Sequence, residues 1–261
     1  MRRYLVIALG TAIAAAATAS MAFALGGNTS TVAGSMDPSA LPHDKYKGGA
    51  LTLDVTTVKT GDLNPLAPTQ FVTNGTTRTQ VDLDDDFKFT TKGLKQCRAD
   101  LEGSTTADAI GACKSSKVGT GSAVVCVNNG FGGCVNSGVP SVVTAFNGKP
   151  TGSGLPTLIL HSRIEFGPIN QTTLLKGVLR DSPLGGDFGK RLDVPVDLPV
   201  GTAITDFLVT VKKTFTVDGH KKRYIAARCH DGNHKLNYGA TFTYADLTVD
   251  PVLANQTCTV G

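Results

Sequence analysis

The sequence predicts a mainly β protein, an antiparallel β-sandwich with one short helix. Three observations favour this class. Short strand-like runs recur along the chain, and Gly, Pro or Asn residues interrupt them at intervals of about eight to fifteen residues. Only one segment has a helical pattern. Gly is abundant, at 30 of 261 residues, and charged residues make up only 18%.

The N-terminus has the features of a signal peptide. Arg2 and Arg3 precede the uncharged run 4–17, and residues 22–24 (Ala-Phe-Ala) form the small-x-small pattern that signal peptidase recognises. We expect cleavage after residue 24 and export to the medium or the cell envelope, with no transmembrane span after signal removal. A retained membrane anchor is the alternative.

Residues 25–47 are rich in Gly, Ser, Thr and Pro, which predicts a flexible leader before a single β-sandwich domain at 48–261. Within that domain Ser182–Pro199, with three prolines and three glycines, predicts a long crossover or an edge segment. The segments with strand composition are Ala50–Val58, Arg78–Leu83, Ser122–Val127, Ser141–Phe146, Thr157–Phe166, Thr172–Arg180, Ile204–Val217, Lys222–Cys229, Ala240–Tyr244 and a final strand around Cys258.

The helix is predicted between Cys97 and Cys113, with Asp100 or Ser104 as its N-cap. In the strand that follows the Gly-rich stretch, His161 alternates with apolar residues and is predicted to face solvent.

Six cysteines in an exported chain predict three disulfides. Fifteen pairings are possible, and proximity along the chain suggests Cys97–Cys113, Cys126–Cys134 and Cys229–Cys258.

Charge and composition argue against two classes of partner. Loss of Arg2 and Arg3 lowers the formal net charge from +4 to +2, which disfavours nucleic acid. Trp is absent and aromatic residues are 6% of the chain, so the flat surfaces on which sugars stack are scarce.

Two polar clusters are candidate metal sites. Asp82, Asp84 and Asp86 share one face if the strand stays extended, and their oxygens suit Ca²⁺, although the Gly and Glu of a complete calcium loop are missing. The alternative is a solvated strand end. His230 and His234 flank a turn and could bind Zn²⁺ or Cu²⁺ with the intervening aspartate; exposed turn histidines are the alternative.

The most basic local segment surrounds Asp218-Gly219, a strong hairpin-turn signal. Its basic residues are Lys212, Lys213, Lys221, Lys222 and Arg223. Paired strands would bring these charges together and create a site for anionic envelope material. The alternative is protection of an exposed strand edge against aggregation.

No G-x-S-x-G, H-E-x-x-H or P-loop motif occurs in the sequence, and no nucleophile stands out. The sequence therefore predicts a secreted or envelope-associated, non-enzymatic surface binding or structural module without a cofactor. The alternatives are a metal- or small-ligand-binding module, or an extracellular hydrolase with a non-local active site.

The chain resembles a group of uncharacterised secreted proteins of high-G+C Gram-positive bacteria. The resemblance rests on a G-L-x-x-C element at 93–97 and a C-x-x-S-x-V-G-x-G element at 113–121, with similar closing parts at 212–214, 227–229 and 240–244. It implies the same β fold and favours the Cys97–Cys113 and Cys229–Cys258 pairs. The extra pair Cys126 and Cys134 departs from the group, for which no activity is established.

Overall fold

The computed structural model describes residues 28–59, 75–127, 134–135, 138–166, 169–199, 201–230 and 232–261. The predicted signal peptide, residues 1–24, lies outside these ranges. Within them, no helix has both the length and the apolar character needed to cross a membrane.

These residues form eighteen strands and one α-helix. The helix α1 is Thr106–Cys113, followed by a 3-10 turn at Lys114–Ser116. The strands are β1 (Asn28–Asp37), β2 (Ala40–Leu41), β3 (Lys47–Gly48), β4 (Ala50–Lys59), β5 (Thr76–Asp84), β6 (Phe87–Phe89), β7 (Lys117–Val127), β8 (Val139–Asn147), β9 (Thr157–Phe166), β10 (Ile169–Gly185), β11 (Phe188–Pro195), β12 (Thr202–Val211), β13 (Thr214–Val217), β14 (His220–Arg223), β15 (Ile225–Ala227), β16 (Lys235–Tyr244), β17 (Val249–Thr257) and β18 (Thr259–Val260).

Eleven strands form one antiparallel sheet in the order β1-β4-β12-β7-β8-β9-β10-β11-β5-β16-β17. The predicted mainly β class with one short helix is confirmed. Both layers of the predicted sandwich belong to this one sheet, because Leu51 and Leu53 of β4 pack in the same core cluster as Val81 and Leu83 of β5. The two halves of the sheet therefore face each other across the core. Three small sheets, β13-β14, β3-β15-β6 and β2-β18, complete the described part of the fold.

The sheet closes on itself through side chains. Its first and last strands, β1 and β17, run side by side, and Asp250 Oδ2 accepts the Ser30 N–H at 2.9 Å. Further along, Gln256 Oε1 accepts the Met36 N–H at 2.5 Å and Gln256 Nε2 donates to the Met36 carbonyl at 3.1 Å. These bonds satisfy edge groups that would otherwise attract another strand. We call this contact the seam.

The predicted flexible leader at 25–47 is wrong from Asn28 onward. Residues 28–37 form β1, which pairs with β4 over its whole length. Its composition is polar, but Ser30, Val32 and Met36 recur on one face and are buried. That period of two, rather than the average composition, decides the structure.

The predicted crossover or edge segment at Ser182–Pro199 is also wrong in part. It contains the end of β10 and all of β11, and β11 lies between β10 and β5 inside the sheet. Pro195 is tolerated because it is the last residue of the strand. Gly185 and Gly186 have φ values of 64° and 59° and form the turn that precedes β11.

The helix begins later than its predicted caps. Its N-cap is Thr105, whose Oγ1 accepts the Asp108 N–H at 3.2 Å, in place of Asp100 or Ser104. Ala109 and Cys113 pack with Phe146 on the outer face of the sheet. The proximity pairing of the cysteines is confirmed, with disulfides Cys97–Cys113, Cys126–Cys134 and Cys229–Cys258.

His161 lies on the outer face, as its alternation predicts, but it is fully buried, so the expectation of solvent exposure is wrong. The loop before α1 covers the ring, and His161 Nε2 lies 3.1 Å from Ser104 Oγ and 3.2 Å from Ser104 O. Ser104 Oγ donates its own proton to the Leu101 carbonyl, so this contact is not a nucleophile–base pair.

The core contains a cavity of about 100 Å³ enclosed by inward-facing residues of the large sheet. Its lining runs along β4, β5, β9, β10, β11 and β12. The closure of the sheet creates this space, because strands that are distant in the strand order line it together.

Candidate functional site

The predicted basic hairpin is present as β13 and β14. Thr214 pairs with Arg223 and Val217 with His220, across a two-residue turn. The turn residues Asp218 and Gly219 have φ values of 51° and 77°. Both angles are positive, as a type I′ turn requires, and Asp and Gly are among the residues that tolerate them. The local sequence thus determines the hairpin.

Apolar contacts hold the hairpin against the body of the protein. Phe215 is half-buried and packs against the main core cluster. Val217 lies directly over Gly93, where an added Cβ would come within 2.5 Å of its Cγ2. Gly93 also has a φ of 84°. A larger residue there would displace the hairpin. Gly93 is therefore needed both for the positive φ of its loop and for the close packing of the hairpin.

The strand ends are anchored by backbone hydrogen bonds. The Lys212 N–H donates to the Val118 carbonyl at 2.7 Å, and the Tyr224 N–H donates to the Lys213 carbonyl at 2.9 Å. The charged side chains therefore project from a fixed base rather than from a loose loop.

Five basic residues form what we call the hairpin surface: Lys212, Lys213, Lys221, Lys222 and Arg223. Four are exposed and Lys213 is half-buried. None forms an ion pair with another described residue. With Asp218 as the one acid between residues 212 and 223, this segment carries a net charge equal to that of the whole chain, +4. Its charge is therefore uncompensated locally.

A second basic group adjoins the hairpin surface, and sequence reasoning missed it. The Arg223 side chain packs against Gly48, next to Lys47 of β3. On the same small sheet, Lys88 Nζ and Arg228 Cζ lie 5.3 Å and 5.2 Å from the centre of the Tyr46 ring. These basic residues come from distant segments of the chain, so no local sequence pattern predicts that they lie together.

Of the three predicted calcium ligands, Asp82 is engaged apart from the other two. Asp82 forms a bidentate ion pair with Arg191, with oxygen–nitrogen distances of 2.8 Å and 2.7 Å, and also accepts the Ser182 hydroxyl at 2.6 Å. All three predicted aspartates are buried. The alternative of a solvated strand end is therefore wrong.

Asp84 and Asp86 lie close to Asp85 instead, and the ligand atoms of these three residues fall within 4.8 Å of one another. Asp84 accepts the Asn237 N–H at 2.8 Å. Asp86 accepts the Arg228 Nε–H at 2.6 Å and the His230 N–H at 2.7 Å. The Asp86 carboxylate raises the pKa of Arg228. These carboxylates organise the turn between β5 and β6, which is a structural role.

The two candidate zinc ligands face different neighbours. The His230 ring packs against His43, with centroids 5.0 Å apart. His234 Nδ1 lies 3.9 Å from the Cys229 sulfur, and its φ of 53° places it in a tight turn. Asp231, the third predicted ligand, lies outside the described residues. His43 hydrogen-bonds Asp44 at 2.6 Å and lowers the pKa of that exposed carboxyl.

No protein-family profile matches the chain, and comparison with curated proteins and with solved structures finds no match. The geometry of the molecule is therefore the basis for inferring its function. Its three disulfides are compatible with an extracellular protein.

Proposed function

We propose that this chain is an exported, non-enzymatic binding module that attaches through its hairpin surface to anionic polymers of the cell envelope. The uncompensated charge of the five basic residues carries the proposal. An anionic polymer presents repeated charges along a line, and a row of exposed cations on a rigid hairpin offers the complement.

The support that holds the hairpin strengthens the proposal. Phe215 and Val217 fix one face of it, so binding does not have to order the basic strand. Pre-organised charges lose less conformational entropy on binding than charges on a flexible loop. Lys47 and Lys88 are exposed beside the hairpin and extend the positive surface, whereas the charge of Arg228 is paired with Asp86.

The first test measures retention of the purified mature protein on isolated host envelopes as salt increases. Between about 0.1 M and about 1 M salt the Debye length falls from about 10 Å to about 3 Å, so binding through exposed charges should be lost. Fractionation of the host provides the matching observation, because the protein should leave the envelope in a salt wash. Free protein in the medium of growing cells would contradict the proposal.

The second test removes the charges. A basic residue near an anionic surface contributes about 1 kcal/mol, so the triple variant Lys221→Ser, Lys222→Ser, Arg223→Ser should bind about a hundredfold more weakly. The matched control removes three exposed lysines elsewhere on the surface: Lys149→Ser, Lys176→Ser and Lys235→Ser. Equal weakening of both variants would indicate a response to net charge alone.

The same triple variant separates the proposal from strand-edge protection. If the lysines serve to keep the hairpin from pairing with other chains, the variant should aggregate while the residual monomer keeps its retention. Retention and light scattering measured on the same samples distinguish the two roles.

A further inference from the structure

Two histidine rings from distant segments of the chain meet at the protein surface. His43 precedes β3 and His230 follows β15, and their ring centroids lie 5.0 Å apart. Both residues are exposed. The ring planes are tilted by 44°, which is neither the parallel stack nor the edge-to-face contact that aromatic rings favour. Imidazole is the commonest metal ligand in proteins, so the pair is a candidate metal site.

The separation of the rings fits a metal ion held between them. A Zn–N bond of about 2.0–2.1 Å places the metal about 3.2 Å from the centre of each imidazole. Two rings bound at a tetrahedral angle then have centres about 5.2 Å apart, and two rings bound at a right angle have centres about 4.5 Å apart. The observed 5.0 Å lies between these values and closer to the tetrahedral one. Zn²⁺, which is tetrahedral in most protein sites, therefore fits the pair.

A carboxylate sets the orientation of one ring. His43 Nδ1 lies 2.6 Å from Asp44 Oδ1. When the carboxylate accepts the Nδ1–H, the lone pair of the neutral ring is on Nε2, which is then the ligand atom. Carboxylate–histidine pairs of this kind fix the tautomer of metal-binding imidazoles and raise their basicity. Rotation of the His230 ring about its Cβ–Cγ bond aims a nitrogen at the same point and leaves the ring centres about as far apart.

Backbone bonds hold the two segments together. The Cys229 N–H donates to the Pro42 carbonyl at 3.0 Å, so the residues immediately before the two histidines are joined. The His230 N–H donates to Asp86 Oδ2 at 2.7 Å. The disulfide to Cys258 fixes the same segment covalently. A metal ion therefore meets two ligands on a fixed backbone, and little conformational entropy is lost on binding.

The local charges do not oppose a bound cation. Arg228 lies two residues before His230, but its Nε–H donates to Asp86 Oδ1 at 2.6 Å, and the two charges offset each other. The Asp44 carboxylate beside His43 adds a negative charge, and its side chain is 82% exposed.

We infer that His43 and His230 bind a Zn²⁺ ion, with Asp44 holding the His43 ring and water completing the tetrahedral set. The pair differs from the one that the sequence predicts, because His234 faces the Cys229 sulfur at 3.9 Å. The hairpin surface contributes none of these ligands, so this site is independent of the proposed envelope binding.

Calorimetric titration of Zn²⁺ into the purified protein, prepared without a histidine tag, tests the site. We expect one Zn²⁺ per chain. His43→Asn and His230→Asn should each weaken binding by more than about tenfold, the loss that follows when only an outer hydrogen-bond partner is removed. The controls His220→Asn and His234→Asn should bind like the parent protein, and Asn tolerates the φ of 53° at residue 234. Circular dichroism verifies that each variant is folded.

Two further measurements separate this site from the neighbouring carboxylates. Asp44→Ala removes the group that orients the His43 ring and should weaken Zn²⁺ binding about tenfold. Excess Ca²⁺ should not displace Zn²⁺, because Ca²⁺ prefers oxygen ligands. Absence of Zn²⁺ binding, unchanged affinity in His43→Asn, His230→Asn or Asp44→Ala, an equal loss in His234→Asn, or displacement by Ca²⁺ would each overturn the inference.

Discussion

Gln256 is expected to be essential for closing the sheet. It is the residue of β17 that bonds both backbone groups of Met36 in β1, and its Oε1 also accepts the Tyr238 hydroxyl at 3.3 Å. Gln256→Ala removes all three interactions. Met36 is 1% exposed and Tyr238 is fully buried, so water does not readily replace the lost partner.

The magnitude follows from these contacts. A buried polar group left without a partner costs about 1–3 kcal/mol. Gln256 itself is half-buried, so we take the low end of that range for each of the three groups. The free energy of unfolding should then fall by about 3 kcal/mol. Urea denaturation monitored by circular dichroism measures this change.

The control is Asn255→Ala, which shortens the neighbouring side chain on the exposed face of the same strand. It should change stability by less than about 0.5 kcal/mol. Hydrogen exchange gives a local readout, since the Met36 amide should exchange faster in Gln256→Ala. Equal stability of the two variants, or unchanged protection of Met36, would refute the claim that side chains close the sheet.

The isosteric change Gln256→Glu tests the same hydrogen bonds through the pH dependence of stability. An ionised carboxylate cannot donate to the Met36 carbonyl, whereas a protonated one can. The pKa of the new carboxyl should therefore rise on folding. The stabilisation that the protonated carboxyl provides is complete below about pH 4.3, the pKa of an unperturbed Glu. It is lost as the pH rises through the higher pKa of this carboxyl in the folded protein.

Three further predictions concern stability in urea. Gly34→Ala would overlap the ring packed on β1 and should cost about 1–3 kcal/mol, whereas Gly152→Ala, which meets open space, should cost little. Burial lowers the pKa of His161 below its usual 6.5, so protein stability should fall as pH drops below about 6.5, and His161→Gln should reduce that fall. Removing Cys229 and Cys258 together, which opens a 29-residue separation, should cost about 3–4 kcal/mol.

The features that the sequence predicts correctly are those with local causes. Asp218-Gly219 determines its hairpin because two adjacent residues tolerate positive φ. The disulfides join cysteines that are neighbours in the order of the chain, separated by 8 to 29 residues. The charges of the hairpin surface occupy one short segment, so their clustering also follows from the local sequence.

The features that it misses depend on residues far apart in the chain. The seam joins residues separated by 220 positions, such as Met36 and Gln256, so nothing near residue 28 indicates that the supposed leader has a partner. The partners of the aspartates in β5 and its turn are missed for the same reason. Arg191 and Arg228, which neutralise Asp82 and Asp86, come 109 and 142 positions later.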